Sequence, residues 1–311
     1  MQILVSGSLA YDRIMSFPGS FADHILPEKI HILNVCFLVD GLDERFGGTA
    51  GNIGYSVALL GERPVILATA GKDFEGYESW LTGHDIPLNG IRIVDDEFTA
   101  GAYITTDNAD NQITGFNPGA MKYACEYNFA HMDPRNVLAI VSPGNLDDMK
   151  NLPDVYREKK IPFIIDPGQN IPALSGDEMI AMLEGCKILV TNDYELEMIM
   201  KSTGKSRDEL LDYCEYIITT LGEHGCVVVD KNGETKVPAA KAAEVKDPTG
   251  AGDAFRAGLI KGLVMGKSVV NSAYIGAISS VYCVEQLGTQ EHSYTEDQFW
   301  ARYKENFGEI K

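Results

Sequence analysis

Asp247-Pro248-Thr249-Gly250-Ala251-Gly252-Asp253-Ala254-Phe255-Arg256-Ala257-Gly258 puts three backbone amides and one carboxylate at the start of a long apolar helix. The first N–H groups of a helix lack intrahelical partners and stand at the positive end of its macrodipole, so such a start can cradle phosphate oxygens. Gly250 and Gly252 carry no side chain to block an anion, and Asp253 is placed to accept a proton from a hydroxyl attacking phosphorus. The stretch reads as a phosphoryl-transfer site. Its plainer reading is a tight loop whose glycines cap a helix, with Asp253 as the N-cap.

Outward from this helix, short β-rich runs alternate with helix-length amphipathic stretches, the pattern of a parallel sheet covered by helices on both faces. The pattern predicts strands near residues 2–7, 64–70, 137–142, 161–166, 187–190, 216–219 and 225–230. It predicts helices over 51–60, 146–159, 193–201, 252–265, 269–285 and 296–306. Residues 12–48 and 98–117 break the alternation with extended, turn-bearing patterns. The second reads as a hairpin of 99–106 and 112–116 around the Asp/Asn-rich turn 107–111. Two such β pieces can pair into a small lid that closes over substrate, or remain ordinary surface loops.

The 311 residues suffice for one large α/β domain or two modest ones, and 45% hydrophobic content places the chain among globular proteins. A formal charge of −19 repels polyanions, which disfavours nucleic acid and anionic membranes as partners. Backbone amides with a divalent cation can still receive phosphates locally. Six cysteines without a C-x-x-C pair fit reduced thiols, so a cytoplasmic location is expected. No window approaches 18 consecutive apolar residues, which predicts no membrane span.

Four further constellations carry chemistry. Gly47-Gly48-Thr49-Ala50-Gly51-Asn52-Ile53-Gly54 allows a small polar ligand against the backbone, where the Asn52 amide can grip adjacent hydroxyls; it can also be a turn with a close packing face. Asp12 follows the first strand, where open α/β sheets place ligand groups, and a carboxylate there can take two hydrogen bonds from a vicinal diol. Thr191-Asn192-Asp193-Tyr194-Glu195 opens a helix. Asn192 and Glu195, one turn apart, suit a water-rich Mg²⁺ shell or form a capping box. Thr220-Leu221-Gly222-Glu223-His224-Gly225 links two strands as a floor for nucleotide phosphates or as a plain hairpin. Gly262 to Ser268 falls one residue short of a Walker A loop and follows a helix, and the histidines lack H-E-x-x-H spacing. No dinucleotide fingerprint supports a dehydrogenase.

Together these segments resemble the ribokinase-like (PfkB) carbohydrate and nucleoside kinase family, in the family's order and over essentially the whole chain. D-P-T-G-A-G-D-A-F-R-A-G agrees with its most specific signature, and G-G-T-A-G-N followed by Gly61 and Gly71 fits its N-terminal one. The resemblance implies a single ribokinase-like domain over 1–311: a three-layer α/β/α sandwich with a mostly parallel central sheet and a small β lid. It implies ATP as co-substrate, Asp253 as catalytic base, and Gly250, Ala251 and Gly252 as the anion hole. Asn192 and Glu195 would organise Mg²⁺ and phosphates, Glu195 through water. Asp12, Gly47, Gly48 and Asn52 would hold sugar hydroxyls, and Thr220, Gly222 and Gly225 would line the ATP site. Some members bind a monovalent cation such as K⁺ near the positions of Asp247 and Thr249.

Within the family, residues 31–55 and 111–121 look like bacterial adenosine kinases. Phe37, Phe46, Tyr103 and Phe116 would then wall a purine. Where eukaryotic adenosine kinases place an Asn near adenine, this chain has Ser8. The expected protein is a monomeric or homodimeric kinase for the 5′-hydroxyl of adenosine or a related nucleoside. A ribose or hexose kinase is the alternative within the family, and a non-catalytic nucleotide or sugar sensor the alternative outside catalysis.

Overall fold

The computed structural model describes residues 1–130 and 132–309. Its strands are β1 (Gln2–Ser6), β2 (Ala10–Ser16), β3 (Gly41–Gly47), β4 (Pro64–Gly71), β5 (Ile91–Val94), β6 (Ala100–Thr106), β7 (Gln112–Asn117), β8 (Val137–Val141), β9 (Phe163–Ile165), β10 (Cys186–Asn192), β11 (Cys214–Thr220), β12 (Cys226–Asp230) and β13 (Gly233–Val237). Its helices are α1 (Thr49–Leu59), α2 (Glu75–Gly83), α3 (Leu146–Lys159), α4 (Gly176–Leu183), α5 (Asp193–Thr203), α6 (Arg207–Leu210), α7 (Ala251–Val264), α8 (Val269–Val284) and α9 (Glu296–Phe307).

The large sheet runs β13-β12-β11-β10-β9-β8-β1-β4-β5, parallel from β11 to β5 and antiparallel at the β12 and β13 edge. Central strands such as Val137–Val141 are buried throughout, because helices cover both faces. Successive residues of one strand enter different cores. Ile3 and Val5 pack in one cluster with residues of α1, α2 and α7, while Leu4 joins another with residues of α3, α4 and α5. This is the α/β/α sandwich expected from the alternating pattern.

Local chemistry sets several helix starts. Ser175 with Glu178, Asn192 with Glu195, and Thr295 with Gln298 form reciprocal caps, each satisfying two orphan amides. Helices α7 and α8 pack backbone against backbone, through Gly258 against Gly276 and Gly262 against Ser272.

The small sheet, ordered β3-β2-β6-β7, is the expected lid. Its β6–β7 hairpin falls as predicted. The first segment differs: only 10–16 and 41–47 are strands, and the chain between them makes 3₁₀ turns at Phe21–Asp23 and Pro27–Ile32. Pro27 lacks a ladder donor, and Asp107 in the hairpin turn accepts the Phe21 amide at 2.9 Å, which folds this excursion back onto the lid. Strands β5 and β13 and helices α2, α4 and α6 lie outside the predicted elements. No helix among the described residues is long and apolar enough to cross a membrane.

Candidate active site

Gly250 takes a left-handed conformation (φ +80°) and turns the chain into α7. The loop before it is clamped by Asp247, whose Oδ1 accepts the Thr249 amide at 2.9 Å and whose Oδ2 accepts the Gly288 amide at 3.1 Å. At the helix start the Ala251 amide donates to Pro248 O at 3.2 Å. One of the three amides read from the sequence is therefore engaged. Gly250, Gly252 and Asp253 supply the amides that make no hydrogen bond among the described residues. A cavity of about 490 Å³ opens beside them, lined by Thr220, Gly222, Gly225, Pro248, Ala251 and Gly252 and backed by the apolar Val245, Phe255 and Val281. The two glycine-bearing segments singled out from the C-terminal half thus share one cavity.

Asp253 lies on the side of the helix start facing α1. Asn52 Nδ2 donates to its Oδ2 at 2.8 Å, joining the two glycine motifs across 201 residues. Asp253 keeps partial exposure, yet its carboxyl is closely ringed by protein. That desolvation raises its pKa, opposed by the charge of Arg256 and the hydrogen bond from Asn52. Asp12 on β2 is raised likewise by burial, with Arg45 opposing.

Lid register decides which side chains accompany Asp12. Arg45, Asp12, Ala102 and Phe116 are aligned across β3, β2, β6 and β7 and so share one face. Arg45 lies against Gly288, so this face looks onto the loop after α8, which Asp247 ties to the loop preceding α7. Phe116 is exposed there. The other three aromatics expected around a purine sit elsewhere. Phe46 and Tyr103 align with Tyr11 and Arg13 on the opposite face, where Phe46 stacks on Trp80 at 5.4 Å and Tyr103 accepts a hydrogen bond from Arg13 at 3.0 Å. Phe37 packs on Phe17 at 4.8 Å inside the lid. The alternation of β side chains separates residues that sequence proximity had grouped.

Gly47 is the last residue of β3 beside Asp12, and Gly48 (φ +88°) is pressed against the backbone of Ser8, a place only glycine fits. Ser8 Oγ accepts the Thr49 amide at 3.0 Å and so closes the start of α1; its hydroxyl is committed to the scaffold.

Asn192 and Glu195 adopt the capping alternative. Asn192 Oδ1 accepts the Glu195 amide and Glu195 Oε2 accepts the Asn192 amide, both at 2.8 Å. Asn192 pairs in register with Thr220, which brings the cap to the cavity rim. No group of three His, Cys, Asp or Glu side chains among the described residues forms a cage for a metal ion. The Glu195 oxygen left outside the cap would suit a water-rich divalent ion, reached through water and held largely by phosphate oxygens.

Two features escaped the sequence reading. Arg256, inside the opening motif, forms a buried side-on pair with Asp166 at the end of β9: Nη2 donates to Oδ1 at 2.7 Å, and Nε lies beside Oδ2. Burial raises Asp166, and the guanidinium pulls it back. Gln290, almost fully buried, reaches Asn52 and the aromatic layer of α2. The first could have been flagged by an arginine in an apolar helix. Nothing local marks the second.

A doubly covered parallel sheet, a carboxylate beside free helix-start amides and an adjoining cavity define an α/β phosphotransferase scaffold. The model of the pfkB family of carbohydrate kinases matches residues 16–296, and the chain belongs to that family. It is 30% identical over 281 residues to a nucleoside kinase of Methanocaldococcus jannaschii, covering 90% of this chain and 92% of that one. The ligand-free nucleoside kinase of Burkholderia thailandensis superposes with a TM-score of 0.87 at 35% identity, over 97% of this chain and 99% of that chain. The same enzyme in complex with inosine gives 0.84 at 34% identity over 99% of each chain. The protein is a kinase of the nucleoside and sugar class.

Proposed function

We propose that the protein transfers the γ-phosphoryl group of ATP to the 5′-hydroxyl of adenosine or a related nucleoside, giving the nucleoside monophosphate and ADP. The observation that carries this reading is the position of Asp253: its carboxyl is held by Asn52 at the start of α7, the same helix start where the amides of Gly250 and Gly252 are free and Gly252 lines the cavity. Support for a nucleoside comes from the Burkholderia thailandensis relative, 35% identical, solved in complex with ADP-inosine.

In this reading Asp253 takes the hydroxyl proton while the new O–P bond forms in line and the bond to the ADP oxygen breaks, its electron pair leaving with ADP. The amides of Gly250, Gly252 and Asp253 at the start of α7 hold the transferred group's oxygens; Ala251 contributes its place in the turn. Thr220, Gly222 and Gly225 accommodate ATP against the apolar wall. Asp12, Gly47, Gly48 and Asn52 grip the ribose hydroxyls, with Phe116 available as a stacking face for the base. Asn192 and Glu195 would hold Mg²⁺ through water, and the ion would neutralise charge on the phosphate oxygens. Asp247 and Thr249 would hold a monovalent cation such as K⁺ through oxygen atoms.

A substrate panel with coupled ADP detection tests the assignment. Adenosine or inosine should exceed ribose in kcat/KM. Faster turnover of ribose would make the protein a sugar kinase, and binding without ADP release across the panel would make it a sensor.

A further inference from the structure

Trp80, on α2, is a hydrogen-bond donor only, and its direction propagates to Asp253. The indole Nε1–H can meet nothing but an acceptor, and it donates to Gln290 Oε1 at 2.9 Å. That fixes the Gln290 amide with its nitrogen on the far side. Nε2 there donates to Asn52 Oδ1 at 3.0 Å and to the Tyr77 hydroxyl at 2.7 Å. Tyr77 passes its own proton to Gly47 O at 2.8 Å. With Oδ1 occupied as acceptor, Asn52 can present only its NH₂ to Asp253, which it does at 2.8 Å. One donor-only ring thus decides the orientation of two amides whose oxygen and nitrogen ends would otherwise be interchangeable.

We infer that Gln290 is a positioning residue for the Asp253 carboxylate, acting through Asn52. The inference rests on Asp253 being the base. A flipped Asn52 would aim a carbonyl oxygen at a carboxylate whose burial already disfavours its charge, which would rotate the base or keep it protonated near neutral pH. The chain of bonds holds the opposite arrangement, in which the hydrogen bond favours the ionised, proton-accepting form. Gln290 lies 238 residues from Asn52 in sequence, midway along the loop between α8 and α9. Gln290 and Tyr77 are fully enclosed, so the chain does not fray into solvent.

The test compares Gln290→Glu, Trp80→Phe and Asp253→Asn by the pH dependence of kcat at saturating ATP and nucleoside, with ATP affinity measured by calorimetry. A glutamate can accept from Trp80 and Tyr77 but cannot, when ionised, donate to Asn52. Loss of an oriented bond to a charged group predicts a fall in kcat of about 10- to 100-fold at pH 7 and an acid limb displaced upward by about one pH unit, with ATP affinity unchanged. Trp80→Phe keeps an aromatic ring able to stack on Phe46 and Tyr55 and removes the donor together with the indole's five-membered ring. It should move the limb in the same direction by a smaller amount. It carries the test alone if Gln290→Glu fails to fold.

A wild-type acid limb in the folded variants overturns the inference, as does a change confined to the nucleoside KM. If Asp253→Asn retains full turnover, the base assignment itself has failed. An inactive Asp253→Asn beside an unmoved Gln290→Glu profile sinks the positioning role alone.

Discussion

Replacing Arg256 by Met should destabilise the protein strongly at neutral pH and weakly in mild acid. The Asp166 carboxyl is buried, and among the described residues Arg256 alone is drawn up beside it as an oppositely charged partner. Without the guanidinium, an ionised Asp166 is a lone charge in protein interior, and it escapes by binding a proton. Relative to an ordinary aspartate near 3.9, that protonation costs about 4 kcal/mol at pH 7 and about 1.5 kcal/mol at pH 5, at 1.36 kcal/mol per unit. The neutral value agrees with the ~3–5 kcal/mol seen when one member of a buried pair is removed.

The sign follows from proton uptake. The variant's folded state binds a proton that its unfolded state has released above pH ~4, so stability falls as pH rises through that window. Urea unfolding followed by tryptophan fluorescence at pH 5 and pH 7 reads both values. The further change Asp166→Asn removes the ionisable group and should flatten the pH dependence. A loss equal at both pH values, or below about 1 kcal/mol at pH 7, would refute the reasoning.

Other outcomes follow from the same packing. His292 is buried with Nε2 against Ser56 Oγ at 3.2 Å, and burial lowers its pKa from 6.5 to about 4. The unfolded chain therefore binds the extra proton between those values, and stability present above pH 6.5 is lost on acidification. His292→Gln should remove about 2 kcal/mol of that pH-dependent change, read as the difference between two unfolding series at pH 4.5 and 7; parallel series would exclude the histidine. Gly258→Ala would set a methyl 2.6 Å from the Ile275 carbonyl oxygen and 2.7 Å from Gly276 Cα, backbone atoms that cannot swing away. Overpacking should outweigh the helix-propensity gain and lower stability by about 1–2 kcal/mol, whereas a raised unfolding midpoint would show that α7 and α8 separate easily.

The sheet and the principal helices were legible because their signals are local. Runs such as Ile3-Leu4-Val5 and Ile188-Leu189-Val190 announce buried strands, and α3 matches its predicted span residue for residue. Helix α2 was missed because Glu75–Gly83 buries only Tyr77 and Leu81, too thin a stripe to show a period. Helix α4 had a readable start in Ser175 and Glu178, a capping box that was overlooked. Strand β13 is polar and largely exposed, and the β12 edge alone makes it a strand.

At the site, the motif residues stood out by their glycines, while their supports did not. Asp166 meets Arg256 across 90 residues, and Gln290 meets Asn52 across 238. A lone glutamine in a loop carries no mark of burial until the fold closes over it. The readings of Phe46 and Tyr103 differ from the structure for a related reason. Which face of a lid strand a ring occupies depends on register, and Phe46 and Tyr103 lie one residue from positions that face the site.

The most direct measurement is single-turnover phosphoryl transfer by Asp253→Asn, with ATP and adenosine affinities and thermal unfolding recorded on the same sample. A base at this position predicts a fall in rate of about 10²- to 10⁴-fold with ATP affinity and folding close to wild type. A variant that folds, binds ATP and transfers phosphate at the wild-type rate would contradict the account.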